Sequence, residues 1–161
     1  MFDVVIKDGE VYSGDKSPKE LNIGITKDRI DYIGKDNISG HKVINAKGYI
    51  VTPGFIDVHT HSDLSFNIDP DADSKLIQGV TFELMGNCGM SFCAPLSPNT
   101  KPQLQDRMDR QGIDIEIKWN DFSGWLDEIS NKTPSINVAA QIGHGSLRAY
   151  VMGMEARSPS P

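Results

Sequence analysis

The 161 residues are poor in three things: cysteine, with two; basic side chains, with sixteen against twenty-two acidic ones; and long apolar runs. Each shortage excludes a class of protein. Two cysteines, Cys88 and Cys93, are too few for a disulfide-stapled secreted scaffold and read as reduced thiols. A net charge of −6 with no basic stripe argues against nucleic acid as a partner, because phosphate binding needs clustered Lys and Arg. A membrane span needs about 20 consecutive apolar residues, which the chain lacks, so no membrane partner is expected. The opening Met1 to Gly9 turns polar after a few residues and has no apolar core of the signal-peptide kind. The expected location is the cytoplasm.

What is present concentrates at two strand ends. The run Gly54-Phe55-Ile56-Asp57-Val58-His59-Thr60-His61 reads as a buried strand that finishes at its histidines. Side chains alternate along a strand, so His59 and His61 point the same way, about 6.6 to 6.8 Å apart along the backbone. Two neutral imidazoles on one face can converge on a transition-metal ion such as zinc. Two polar residues that finish a strand and face solvent would show the same pattern.

A second β-rich run, Val80 to Met85, leads into Gly86-Asn87-Cys88-Gly89. Glycines on both sides permit backbone angles that other residues resist, so the Cys88 thiol can turn toward a ligand. A thiolate there is a strong soft donor, which a bound cation holds deprotonated. An ordinary buried cysteine is the plainer reading of Cys88 alone. Cys93 is read as a small apolar filler, the alternative being a Cys-x4-Cys disulfide.

Together these residues carry a resemblance. Thr52 to Asp63 resembles the first-strand signature of the amidohydrolase superfamily. Gly79-Val80-Thr81, Gly86-Asn87-Cys88-Gly89 and Gly143-His144-Gly145-Ser146-Leu147-Arg148 are similar to segments of the D-aminoacylases, the N-acyl-D-amino-acid deacylases. The likeness extends along essentially the whole chain. It implies that His59, His61 and Cys88 are metal ligands of a zinc centre of one or two divalent ions. The substrate it implies is a small N-acyl-D-amino acid, hydrolysed to a D-amino acid and a carboxylate, with an aspartate from a later strand, beyond this chain, as general base.

The resemblance also implies a β-sandwich cap around a metal-dependent-hydrolase (β/α)8 barrel, and the pattern along the chain fits its first part. Residues 1–53 read as a partial β-sandwich domain, with a hairpin turn expected at Asp8-Gly9 and another turn at Lys27-Asp28-Arg29. Residues 54–161 read as the N-terminal part of a TIM barrel, with apolar strands near 54–58, 80–86 and 136–142. Phe122, Trp125, Leu126 and Ile129 fall at helical spacing behind Asn120 or Asp121 as cap. The stretch 97–114 reads as a polar surface excursion. A closed barrel needs eight strands in about 250 residues, so the expected fold class is α/β with a β-rich N-terminal part, incomplete in this chain. Such a fragment is expected to be inactive alone and to self-associate through open sheet edges.

Three side chains remain. His144 follows the third apolar run and belongs at the mouth of the barrel or among its loops. Asp63 suits an acceptor that orients an imidazole, or a plain surface carboxylate. Arg148 is a candidate for a substrate carboxylate and, more simply, a surface arginine. His41 reads as a surface residue. Two competing functions stay open: a cyclic-amide hydrolase of the dihydroorotase or hydantoinase sort, against which Cys88 argues, and a folding fragment with no catalysis.

Overall fold

The computed structural model describes residues 1–12, 14 and 17–160, which divide into two compact units, Met1–Pro53 and Gly54–Pro161. Among the described residues no helix is long and apolar enough to cross a membrane.

The first unit is one sheet built around its first strand. β1 (Phe2–Val11) pairs antiparallel with β2 (Lys19–Thr26), which pairs antiparallel with β3 (Arg29–Gly34). On the other side of β1 lie two parallel partners, β4 (Gly40–Asn45) along its first half and β5 (Ile50–Val51) at its end. Val5, Val11, Ile23 and Ala46 are buried, whereas Ile30, Ile33, Val43, Tyr49 and Ile50 stand exposed. Lys27 turns the β2–β3 hairpin at φ 54°, its N–H held by Asp3 Oδ2 at 2.7 Å.

The expected hairpin at Asp8-Gly9 is not there. β1 runs through that dipeptide with a bulge, the register slipping between Ile6 and Gly9. Asp8 takes φ 58° and its N–H donates to Asn22 Oδ1 at 2.9 Å. An Asp-Gly pair satisfies a turn and a bulge by the same means, a left-handed backbone, so the dipeptide alone does not tell them apart.

The second unit is α/β. Strands β6 (Phe55–Asp57), β7 (Val80–Met85) and β8 (Asn137–Ala140) form a parallel sheet in that order. Parallel neighbours need crossovers. Between β6 and β7 these are the short helices α1 (Ser65–Ile68) and α2 (Asp73–Leu76), and between β7 and β8 they are α3 (Thr100–Arg110) and α4 (Phe122–Lys132). α5 (His144–Met152) follows β8.

Helix α4 forms where the apolar spacing predicts. Asp121 caps it, Oδ1 accepting from the Gly124 N–H at 2.8 Å, and Trp125 and Ile129 pass into the core beside Phe66, Met85 and Met108. Helix α3 lies inside the stretch expected to be a surface excursion. Ser97 and Thr100 bond reciprocally at its start, each backbone N–H donating to the other's hydroxyl, and Met108 buries its inner face. Only Leu104 and Met108, one turn apart, mark that face in the sequence.

Candidate metal centre

The histidines lie just past the end of β6, where the chain is still tied to β7. Thr60 N–H donates to Leu84 O at 3.2 Å, and the Thr60 side chain is buried. Alternation then turns His59 and His61 to the opposite, open side, with ring centroids 5.7 Å apart.

Past β7 the backbone folds back sharply. Gly86, Cys88 and Gly89 all adopt left-handed angles, at φ 80°, 57° and 76°. For Cys88 that conformation is unfavourable, and the surroundings must impose it. Asn87 Nδ2 donates to Leu84 O at 2.9 Å and to Thr60 O at 3.2 Å, locking this turn to both strand ends. The result aims the thiol at the imidazoles: Cys88 Sγ lies 3.2 Å from His59 Nε2. One donor atom from each of His59, His61 and Cys88 lies within 4.8 Å of the others. Donors bound to a tetrahedral ion at about 2.0 to 2.3 Å stand roughly 3.3 to 3.8 Å apart, against at most 4.8 Å within this trio, so small side-chain rotations close it on one such ion and leave one position open.

Asp63 works differently from the expected imidazole acceptor. It is 2 % exposed, and its oxygens face backbone: Oδ1 accepts from Gly86 N–H at 3.2 Å and Oδ2 from Phe92 N–H at 3.1 Å. Among the described residues it bonds to neither imidazole. Its carboxylate therefore brackets the segment that carries Cys88.

The same segment is braced from behind. Trp119 Nε1 donates to Phe92 O at 2.8 Å. Gly145 and Ser146 N–H groups donate to Gly89 O at 2.7 and 3.2 Å, and Ser146 Oγ accepts from Ser91 N–H at 2.8 Å. Gly143 allows this approach, since a Cβ there would lie 2.5 Å from the Gly89 backbone.

His144 is the first residue of α5, exposed, on the loop side of β8, and it stands outside the three-donor group. Arg148 points away from a substrate role: its guanidinium donates to the backbone carbonyls of Gly153, Glu155 and Arg157 and so ties down the chain after α5. His41 is exposed on β4. Both cysteines are free thiols; Cys93 is buried, donates to Gln141 O at 3.3 Å, and has its pKa raised by burial.

A charged group that sequence reasoning passed over supports β6 from below. Lys75 Nζ lies 2.8 Å from Asp57 Oδ2, and Asp57 Oδ1 accepts from the His59 N–H at 3.2 Å. The Lys75 bond, then the His59 N–H, hold the Asp57 carboxyl below the usual carboxylate range, and Asp57 pushes the Lys75 ammonium up. Lys75 Nζ is also 3.1 Å from Oε1 of the fully buried Glu83. That contact is an ion pair without hydrogen-bond alignment. Asp57 sits in the first-strand motif itself, which was its only signal.

The chain is 35 % identical over 153 residues to a D-aminoacylase of Alcaligenes xylosoxydans xylosoxydans, covering 94 % of this chain and 31 % of that protein. It is 37 % identical over 162 residues to an N-acyl-D-glutamate deacylase of the same organism, covering 99 % and 32 %. Among solved structures, an N-acyl-D-glutamate deacylase from Bordetella bronchiseptica, complexed with zinc and a phosphonate mimic of the tetrahedral intermediate, superposes with a TM-score of 0.78 at 34 % identity. That match covers 94 % of this chain and 31 % of the other. The chain thus spans about a third of the length of the curated relatives it matches, and its fold is the incomplete α/β arrangement of their N-terminal region. With the amidohydrolase family model matching residues 42–161, the whole of the metal-donor region included, the chain belongs to the amidohydrolase family.

Proposed function

We propose that the protein built on this chain is a zinc-dependent N-acyl-D-amino-acid deacylase, which hydrolyses a linear amide to a D-amino acid and a carboxylate. The observation that carries this reading is the convergence of His59, His61 and Cys88 in a chain that aligns with deacylases of this type along nearly its full length. A bound zinc ion, one or two in number, would supply a Lewis acid for the amide carbonyl and lower the pKa of water.

The chain's own residues do the holding. His59 and His61 offer neutral imidazoles from one strand, and Cys88 a soft thiolate from the next. Asp63 and Asn87 keep the cysteine turn in its left-handed form. His144 stands at the mouth, on the side from which substrate arrives. In this reading 1–53 is part of a β-sandwich domain and 54–161 the N-terminal part of a TIM barrel. A cytoplasmic setting belongs to the proposal as well, because a thiolate ligand must stay reduced.

Metal analysis and a substrate panel on the intact protein test this. N-acetyl-D-amino acids should be hydrolysed in preference to their L-enantiomers, with zinc retained through purification. Turnover of hydantoins or dihydropyrimidines in place of any N-acyl-D-amino acid would overturn the reading.

A further inference from the structure

A cleft of about 460 Å³ opens directly beside His61, within the size range of small-molecule sites. Its walls are Met90 and Phe92 from the segment after Cys88, Leu96, Leu104 on α3, and Met154 beyond α5. We propose that this cleft receives the apolar acyl chain of the substrate, an inference that rests on the deacylase reading.

An N-acyl amino acid has two halves, and the cleft is suited to one of them. The amino-acid half always bears a carboxylate. Asp63 is part of the cleft wall, and its buried carboxylate would repel a second one; the lone guanidinium is that of Arg107, which is solvent-exposed. A carboxylate placed among these walls would lose water beside Asp63, and an ion pair with the exposed Arg107 guanidinium would return little of that cost. The acyl chain carries no charge and gains from the same walls. His61 in the wall also sets the cleft beside the donors that must meet the acyl carbonyl, the atom to which the chain is attached. Met90 and Met154, unbranched and flexible, fit chains of differing length.

The test is a homologous series on the intact protein: N-acetyl, N-butyryl, N-hexanoyl and N-octanoyl derivatives of one D-amino acid. Each methylene that enters the cleft should raise kcat/KM about fourfold. Leu104→Trp, which fills the cleft from α3, should collapse the octanoyl-to-acetyl ratio toward one. Thermal unfolding checks that this variant is folded; Leu104→Gln, which makes the wall polar without bulk, should lower the same ratio should the tryptophan variant fail. A series that is flat in chain length while N-acetyl substrate is turned over overturns the cleft and leaves the deacylase reading standing. No turnover of any member overturns the deacylase reading, and the cleft with it. An unchanged ratio in a folded cleft variant overturns the cleft alone.

Discussion

Asp63→Ala is the most informative single change in the second unit. It removes the acceptor for two backbone donors, Gly86 N–H and Phe92 N–H, and Asp63 is almost wholly buried, so water does not readily replace it. An orphaned buried donor costs about 1 to 3 kcal/mol, so the pair costs about 2 to 6 kcal/mol. Against a total stability of about 5 to 15 kcal/mol, that is a severe loss. The loss falls on the segment that contains Cys88, whose left-handed backbone depends on what surrounds it. Asp63→Asn keeps one acceptor oxygen and presents an amide to the other donor, so it should lie between wild type and alanine. Two assays separate stability from placement. Urea unfolding reads the first, and titration with cobalt(II), followed by the thiolate-to-cobalt absorption, reads whether Cys88 still joins the imidazoles. Asp63→Ala with wild-type stability and an undiminished thiolate band would refute the bracketing argument.

Cys88→Ala, which deletes one of three converging donors, should abolish the thiolate-to-cobalt band and lower zinc content in the intact protein; unchanged zinc would remove Cys88 from the site. The Asp57–Lys75 pair should make stability fall at both ends of the pH range. Asp57 has a lowered pKa, so its contribution is present above the ordinary carboxylate range and lost as pH falls through the folded value. Lys75 has a raised pKa, so its contribution is present below the ordinary lysine range and lost as pH rises through the folded value. Denaturation profiles of Asp57→Asn, which leaves the Lys75–Glu83 contact in place, should be flatter at both ends, and profiles that overlay wild type would refute the coupling. Ile129→Ala, in the buried face of α4, should cost about 2 to 5 kcal/mol by urea unfolding. The 161-residue chain, purified alone, should self-associate, since Phe55 and Ile56 on β6 and Val58 just after it are exposed; a monomer by light scattering at all concentrations would count against this.

How far the sequence discloses this arrangement depends on whether a feature is periodic. The strands β6, β7 and β8 announce themselves as apolar runs, and α4 by Phe122, Trp125 and Ile129 one turn apart. Helix α3 is hidden because its polar residues face water on most sides and only Leu104 and Met108 mark its inner face. The bulge at Asp8 is hidden because a turn uses the same residues. At the site, His59 and His61 are legible through period-two alternation, and Cys88 through its glycine flanks. The role of Asp63 is not legible, since its partners are main-chain amides twenty-three and twenty-nine residues away, and a backbone donor leaves no trace in residue type. The cleft is still less so, being assembled from four separate stretches of chain.

One physical cause joins the two glycine-bearing motifs, Gly86 to Gly89 and Gly143 to Gly145. In a parallel sheet, successive strands end at the same edge, so the loops after β7 and β8 must share the space above it. They share it by direct backbone contact. Gly89 O accepts from both Gly145 and Ser146, and Ser91 Oγ accepts from Gly143 N–H at 2.9 Å. Side chains at 143 or 145 would hold those backbones apart, as the close approach of their missing Cβ positions to Gly89 shows. The loop after β8 is thus a buttress for the cysteine turn after β7, which explains why a histidine between two glycines can stand exposed and outside the donor trio. The motif's glycines serve the placement of Cys88, fifty-five residues earlier than Gly143, by letting one backbone lie on another.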